Sequence, residues 1–276
     1  MNHGNQKKMA IINDMSGFGR CSLTVALPVI SHMKIQCCPL PTSIFSNHTG
    51  YENYYFDDYT DKMQIYADNW KKLNLRFDGI STGFLGSLEQ IEIVIRFIKD
   101  FKGTDTKVII DPVMGDDGKE YITYTKDMCE KMKCLIGYAD IITPNVTEAC
   151  ILTDTEYKAS GWSIAELRRI VEKLSDMGAG EVVLSGVDMG RYIGNVIYDR
   201  NRKFCIQKVE RVGKERAGTG DLFSSIIAAD CVNGVELAAS VRKASAFIKH
   251  AVKITEAMNV PCEDGVCFEE ILYKLR

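Results

Sequence analysis

The sequence holds ten cysteines but no Cys-x-x-Cys pair, and its four histidines include no pair at metal-ligand spacing. A zinc site built on such pairs is therefore not expected. The cysteines stand as the adjacent Cys37 and Cys38, as Cys129 with Cys134, as Cys262 with Cys267, and singly. That scatter reads as reduced, mostly buried thiols of a cytoplasmic protein rather than a disulfide framework. No apolar run approaches the roughly 18 residues of a membrane-spanning helix. The start, Met1 to Lys8, is polar and carries no signal-peptide pattern. Low-complexity tracts, internal repeats and interior linkers are all missing. A net charge of −3 gives no reason to expect nucleic acid or an anionic membrane as partner. There is no G-x-x-x-x-G-K-[ST] loop and no protein-kinase signature, which argues against those two nucleotide sites.

Short apolar runs at residues 9–12, 35–40, 79–82, 107–111, 141–143 and 181–185 read as strands. Amphipathic segments separate them. Residues 87–101 put Ile91, Val94, Ile95 and Ile98 on one face behind a Ser87-x-x-Gln90 capping box. A second stripe of Leu167, Ile170, Val171 and Leu174 follows Ser163-x-x-Glu166. Strand, helix and strand in succession require parallel pairing, because a crossover must be long enough to hold a helix. Residues 191–209 read as a hairpin turning at 199–202, followed by helical stretches at 221–231 and 235–258. The expectation is one α/β domain over residues 1–276, a mostly parallel central sheet between two helix layers.

In such sheets ligands collect at the carboxyl ends of the strands. Gly218-Thr219-Gly220-Asp221 opens the helix at 221–231. Its glycines and the helix start form an anion site suited to a phosphoryl group. An acid at that mouth repels phosphate but is well placed to take a proton from an attacking hydroxyl, so Asp221 is the candidate general base. The bland alternative is a tight turn with an Asp cap. Asn145 and Glu148, in Pro144-Asn145-Val146-Thr147-Glu148, offer hard oxygen ligands, or equally a cap and a dipole complement. Asp111 and Asp116 lie in Asp111-Pro112-Val113-Met114-Gly115-Asp116, which otherwise reads as a turn with solvated acids. Gly17-x-Gly19 in the first loop is too short a pattern to carry a dinucleotide fingerprint, since Ser22 stands where its last glycine would.

These strings in this order resemble the ribokinase-like superfamily and, within it, the pyridoxal and pyridoxamine (vitamin B6) kinases. Gly218 to Asp221 is similar to the Gly-x-Gly-Asp anion-hole element, and Asn145 with Glu148 to the Asn-x-x-Glu element. The run from Asp111 to Asp116 is similar to one that pyridoxal and hydroxymethylpyrimidine kinases share. Phe45-Ser46-Asn47-His48-Thr49-Gly50-Tyr51 resembles the Phe-Ser-Asn-His-Thr segment of pyridoxal kinases. Asp14 stands where those kinases usually carry Ser, and Phe84 where they carry Tyr.

The resemblance implies a ribokinase-like three-layer fold and transfer of the ATP γ-phosphoryl group to a hydroxymethyl group on a pyridine ring, as in B6 salvage. It implies Asp14, Phe45, His48, Thr49 and Phe84 at the substrate, and Asn145, Ser185, Gly218, Thr219 and Gly220 at the nucleotide. Mg²⁺ would lie near Asp111, Asp116 and Glu148, a monovalent cation such as K⁺ is compatible, and a homodimer is expected. A hydroxymethylpyrimidine kinase would share the acidic and anion-hole elements. A non-catalytic binding protein of the same fold would not need Asp221, and a dinucleotide oxidoreductase would need more than Gly17 and Gly19.

Overall fold

Alternate residues of the first strand, Met9 and Ile11 against Ala10 and Ile12, enter two different apolar cores, so this strand is buried on both faces. The same alternation sets Ile109 and Val183 against Val108, Ile110 and Leu184. The computed structural model describes residues 4–121 and 123–275. Its strands in chain order are β1 (Lys8–Phe18), β2 (Gln36–Asn47), β3 (Phe56–Asp58), β4 (Gly79–Thr82), β5 (Lys107–Ile110), β6 (Gly115–Asp116), β7 (Lys119–Glu120), β8 (Ile141–Ile142), β9 (Glu181–Met189), β10 (Tyr192–Tyr198) and β11 (Phe204–Glu210). The main sheet has the order β11-β10-β9-β8-β5-β4-β1-β2-β3, and β6 and β7 form a small separate hairpin. From β9 through β2 the pairing is parallel; β10, β11 and β3 add antiparallel edges.

The helices are α1 (Ser22–His32), α2 (Thr60–Lys72), α3 (Leu88–Phe101), α4 (Lys126–Ile136), α5 (Val146–Thr153), α6 (Ile164–Asp176), α7 (Thr219–Asn233) and α8 (Leu237–Ala257). Residues of α1, α7 and α8 share one core with a terminal 3₁₀ helix, Phe268–Leu275, and residues of α2 to α6 share the other. This is the expected three-layer α/β arrangement. Because β1 pairs with β2 on one side and β4 on the other, the strand order reverses at β1, the kind of position beyond whose carboxyl ends ligands bind in such sheets.

Several boundaries differ from the sequence expectation. The strands expected at 9–12 and 35–40 run further, β1 continuing to Phe18 and β2 to Asn47. Their ladder is irregular around Asp14: Asn13 pairs with Pro41 but Met15 with Ile44, so β2 carries one extra residue. Such bulges re-aim side chains next to active sites. The hairpin β10–β11 forms as expected, with Asp199 Oδ1 accepting the N–H groups of Asn201 and Lys203. The capping box at Ser163 and Glu166 is complete. At Ser87 only half forms, because Gln90 turns away to accept from the Gly86 N–H at 2.8 Å and donate to the Thr42 carbonyl at 2.9 Å. Of the ten free cysteines, Cys21, Cys129, Cys150 and Cys267 are buried, whereas Cys134 and Cys205 are exposed. Among the described residues no helix is long and apolar enough to cross a membrane.

Candidate active site

The first turn of α7 lies against the end of β1. Gly218 caps it at φ 74°, and a Cβ there would fall 1.8 Å from the Arg20 carbonyl oxygen, so only glycine fits. Gly220 differs, because a Cβ on it meets nothing within 4 Å and it faces an open cleft. The first N–H groups of the helix have no carbonyl within it to bond, and Thr219 and Gly220, which carry two of them, line that cleft. Asp221 follows them. Part of its side chain stays open, yet enough protein surrounds the carboxyl that burial pushes its pKa up to about 6. The Ser22 N–H and the Asn13 amide, with Nδ2 3.4 Å from Asp221 Oδ1, favour the ionised form in the opposite sense.

Asp14 lies next along β1 and is buried. Burial raises its pKa, against the hydroxyls of Ser22 and Ser16, and Ser16 Oγ donates to Asp14 Oδ2 at 3.1 Å. Ser22 thus influences both acids. It holds φ 51°, a left-handed conformation that costs a non-glycine residue on the order of 1 kcal/mol and clusters at functional sites. Neither Asn13 nor Ser22 was a site candidate from the sequence, where Ser22 served only to rule out a dinucleotide fingerprint; their place at a strand end and a helix start was the one signal that pointed to them.

A second acidic group sits at the ends of β5 and β8. Burial and then the charge of Asp221 raise the pKa of Asp111. Glu148 is also buried, and burial, followed by the charge of Asp111, holds its pKa well above the carboxylate range. Glu148 Oε2 accepts the Asn145 N–H at 2.8 Å and Oε1 the Met114 N–H at 3.2 Å. Asn145 returns a complete capping box, its Oδ1 accepting from the Glu148 N–H at 2.9 Å while Nδ2 donates to the Gly115 carbonyl at 2.9 Å. The Asn145 side chain is therefore committed to fixing α5 and the β6–β7 turn. Asp116 is exposed on that turn, facing the same cleft.

Among the described residues Asp14, Asp111, Glu148 and Asp221 form no ion pair with any Lys or Arg. Buried acids without a counter-charge are unfavourable alone and suit a cationic ligand. No three His, Cys, Asp or Glu side chains among the described residues converge on one point. Asp111, Asp116 and Glu148 therefore do not enclose a cation by themselves; Mg²⁺ fits here only with phosphate and water completing its shell.

The cleft has a volume of about 390 Å³. Thr219, Gly220, Asn145 and Ser185 line it, and a slot between Ile193 and Val209 of the hairpin and Ile248 and Val252 of α8 extends it. Phe84, whose N–H bonds the Asn13 amide beside Asp221, belongs to an aromatic wall. Phe45 is 6.3 Å from Phe84, 4.8 Å from Phe56 and 5.9 Å from Tyr54, measured between ring centroids. Phe45 and Phe84 thus meet, and Tyr54 and Phe56 are additions that β3 brings by pairing with β2.

His48 and Thr49 are placed differently. Both His48 nitrogens are engaged within the protein: Nδ1 accepts the Gly50 N–H at 3.1 Å, so Nε2 carries the proton and donates to the Glu263 carbonyl at 2.7 Å. Its ring is a strut against Tyr51, 4.7 Å away, and Thr49 sits on the exposed turn beside it.

A family model described as phosphomethylpyrimidine kinase matches residues 59–265. The hydroxymethylpyrimidine/phosphomethylpyrimidine kinase of Aquifex aeolicus is 30% identical over 178 residues, 63% of this chain and 67% of that one. The pyridoxine/pyridoxal/pyridoxamine kinase of Bordetella avium is 25% identical over 260 residues, 86% of this chain and 82% of that one. Among solved structures, a Bacteroides thetaiotaomicron protein assigned as a phosphomethylpyrimidine kinase and crystallised with pyridoxal is 38% identical. It superposes with a TM-score of 0.94 over 98% of this chain and 96% of its own. Pyridoxal kinase from Lactobacillus plantarum is 28% identical, with a TM-score of 0.91 over 98% and 97%. With these matches spanning both layers and the site between them, the chain belongs to the phosphomethylpyrimidine kinase family, a kinase of the group that joins pyridoxal kinases to hydroxymethylpyrimidine kinases.

Proposed function

We propose that the protein transfers the γ-phosphoryl group of ATP to the 5′-hydroxymethyl group of a B6 vitamer, giving the 5′-phosphate and ADP. The observation that carries this is the position of Asp221, directly after Gly220 in the first turn of α7 and joined through the Asn13 amide to the backbone of Phe84, which packs against Phe45. Asp221, ionised above its pKa of about 6, takes the hydroxyl proton as the alcohol oxygen attacks the phosphorus. The N–H groups of the α7 first turn hold the charge that develops on the phosphoryl oxygens. The aromatic wall stacks the ring, and Asp14 offers a buried carboxyl to a ring nitrogen, phenol or amine at its edge. Asp111 and Glu148 are the acids that would hold Mg²⁺ beside the phosphates, and the ion would supply neutralisation of phosphate charge.

Pyridoxal in the similar Bacteroides structure supports the pyridine ring as acceptor. The second reading, phosphorylation of a hydroxymethylpyrimidine, is favoured by the family match and by the Aquifex relative. Purified protein with Mg-ATP is to be tested against pyridoxal, pyridoxamine, pyridoxine and hydroxymethylpyrimidine in parallel. A phosphorylated pyridine is the expected product; product from the pyrimidine alone would move the assignment to the second reading, and none at all would remove both. Asp221→Asn is expected to lose roughly 10²–10⁴ in kcat while still binding ATP.

A further inference from the structure

Asn13, only 6% exposed, stands where three parts of the site meet. Its Oδ1 accepts the Phe84 N–H at 2.8 Å and the Asp14 N–H at 3.0 Å, and its Nδ2 lies 3.4 Å from Asp221 Oδ1. The partners themselves decide which end of the amide is which. Backbone N–H groups only donate, so the end that meets two of them is oxygen, and the nitrogen is left facing the carboxyl. The 3.4 Å separation is long, as catalytic hydrogen bonds often are before the reactants are bound.

Gly83 adds a separate observation. It is not among the residues with positive φ, so its backbone does not require glycine. A Cβ there would instead fall 2.4 Å from Asn13 Nδ2, 2.5 Å from Cγ and 2.6 Å from Oδ1. The missing side chain makes room for this amide.

We infer that Asn13 is a positioning residue, which aims the Asp221 carboxyl at the acceptor hydroxyl and fixes that aim to the seat of Phe84. The inference rests on the kinase reading of Asp221. One amide then holds the base and the aromatic wall at a set spacing, so that a ring stacked on Phe84 presents its hydroxymethyl oxygen to a carboxyl already turned toward it. Misplacing a base in this way costs turnover far more than binding.

A purely structural role, stapling β1 to the segment at Gly83 and Phe84, predicts something else, and the two halves of the amide separate the cases. Asn13→Asp keeps an acceptor oxygen for the Phe84 and Asp14 N–H groups but replaces the donor facing Asp221 with a second carboxylate oxygen. It is expected to keep KM for ATP and for the aromatic alcohol within about threefold while kcat falls roughly 10- to 100-fold. Asn13→Ala loses both halves, so kcat falls and KM for the alcohol rises as well. Gly83→Ala leaves every hydrogen-bonding group in place and only crowds the amide. Its expected effect is a lowered kcat with KM for ATP unchanged, and a crystal structure in which the Asp221 carboxyl has turned with Asn13.

Native kcat in Asn13→Asp would overturn the inference. So would a Gly83→Ala crystal structure in which Asn13 moves and Asp221 stays. The crystallographic arm reads the inference even if the parent protein phosphorylates none of the alcohols, an outcome that would remove the kinase reading instead.

Discussion

Asp221 binds its proton more tightly in the folded protein than in the unfolded chain, since burial lifts its pKa from an ordinary 3.8 to about 6. Two measurements follow from that one shift. A base works only when ionised, so kcat/KM is expected to rise with pH through about 6 and then level off. A profile flat from pH 5 to 7 would take the role of base away from this residue. For stability the sign is opposite. Protonation favours the folded state here, so burial of the group costs nothing below pH 4, and the cost grows until the carboxyl is fully charged above about 6. Because the side chain is only partly buried, that cost is on the order of 2 kcal/mol. Asp221→Asn should therefore melt higher than the parent at pH 7.5, by roughly 5 °C, and no higher near pH 4. If the two melt alike at pH 7.5, the folded protein does not hold the Asp221 pKa above its ordinary value, because the Asn13 amide and the Ser22 N–H are already counted in the shift to about 6.

The first turn of α7 shows how neighbouring glycines in one element serve different ends. Gly218→Ala would set a methyl 1.8 Å from the Arg20 carbonyl in a left-handed conformation, so the start of α1 must shift. Its expected cost is at least ~2 kcal/mol, read as a lowered Tm. Gly220→Ala meets no atom within 4 Å beyond its own helix turn, and alanine suits a helix better than glycine by about 1 kcal/mol. That variant should melt no lower than the parent and yet lose about 10² in kcat/KM for ATP, because its methyl enters the space of the transferred phosphoryl group. Retained activity would mean that the phosphoryl lies elsewhere. From the sequence both residues belonged to one Gly-Thr-Gly-Asp string, and their separate duties appear only with Arg20 packed behind one of them. Strands such as β4 and β5 were legible because short apolar runs between helical stripes have one reading. The ends of β1 and β2 were not, since polar Asn13, Ser16, Thr42 and Ser43 break the apolar pattern at the point where the strands carry the site. Tyr54 and Phe56 reach Phe45 through pairing of β3 with β2, a contact that no local spacing encodes.

At the scale of the whole molecule, the chain closes on itself where the site begins. Past α8 the backbone returns over the first loop. The Asp264 carbonyl accepts the Arg20 N–H at 3.3 Å, the Cys262 carbonyl accepts the Ala217 N–H at 3.3 Å, and Tyr51 Oη donates to Asp264 Oδ1 at 2.7 Å. His48 is tied to Glu263 in the same stretch. The segment then buries Val266, Phe268, Ile271 and Leu275 in the core shared by α1, α7 and α8. Side chains of this size contribute about 1.5–3 kcal/mol each, so losing four removes about 6–12 kcal/mol, comparable to the 5–15 kcal/mol that stabilises a typical domain. A chain ending at residue 260 is therefore expected to show no cooperative melting transition. Glu269→Ala removes only an exposed ion pair with Arg20, worth at most ~1 kcal/mol, and should lower Tm by less than about 4 °C. The contrast locates the stabilisation in the buried residues and not in the charges above them. A truncated chain that melted cooperatively while failing to turn over would assign these last residues to holding Arg20, His48 and Ala217 in register around Gly218, with the fold complete without them.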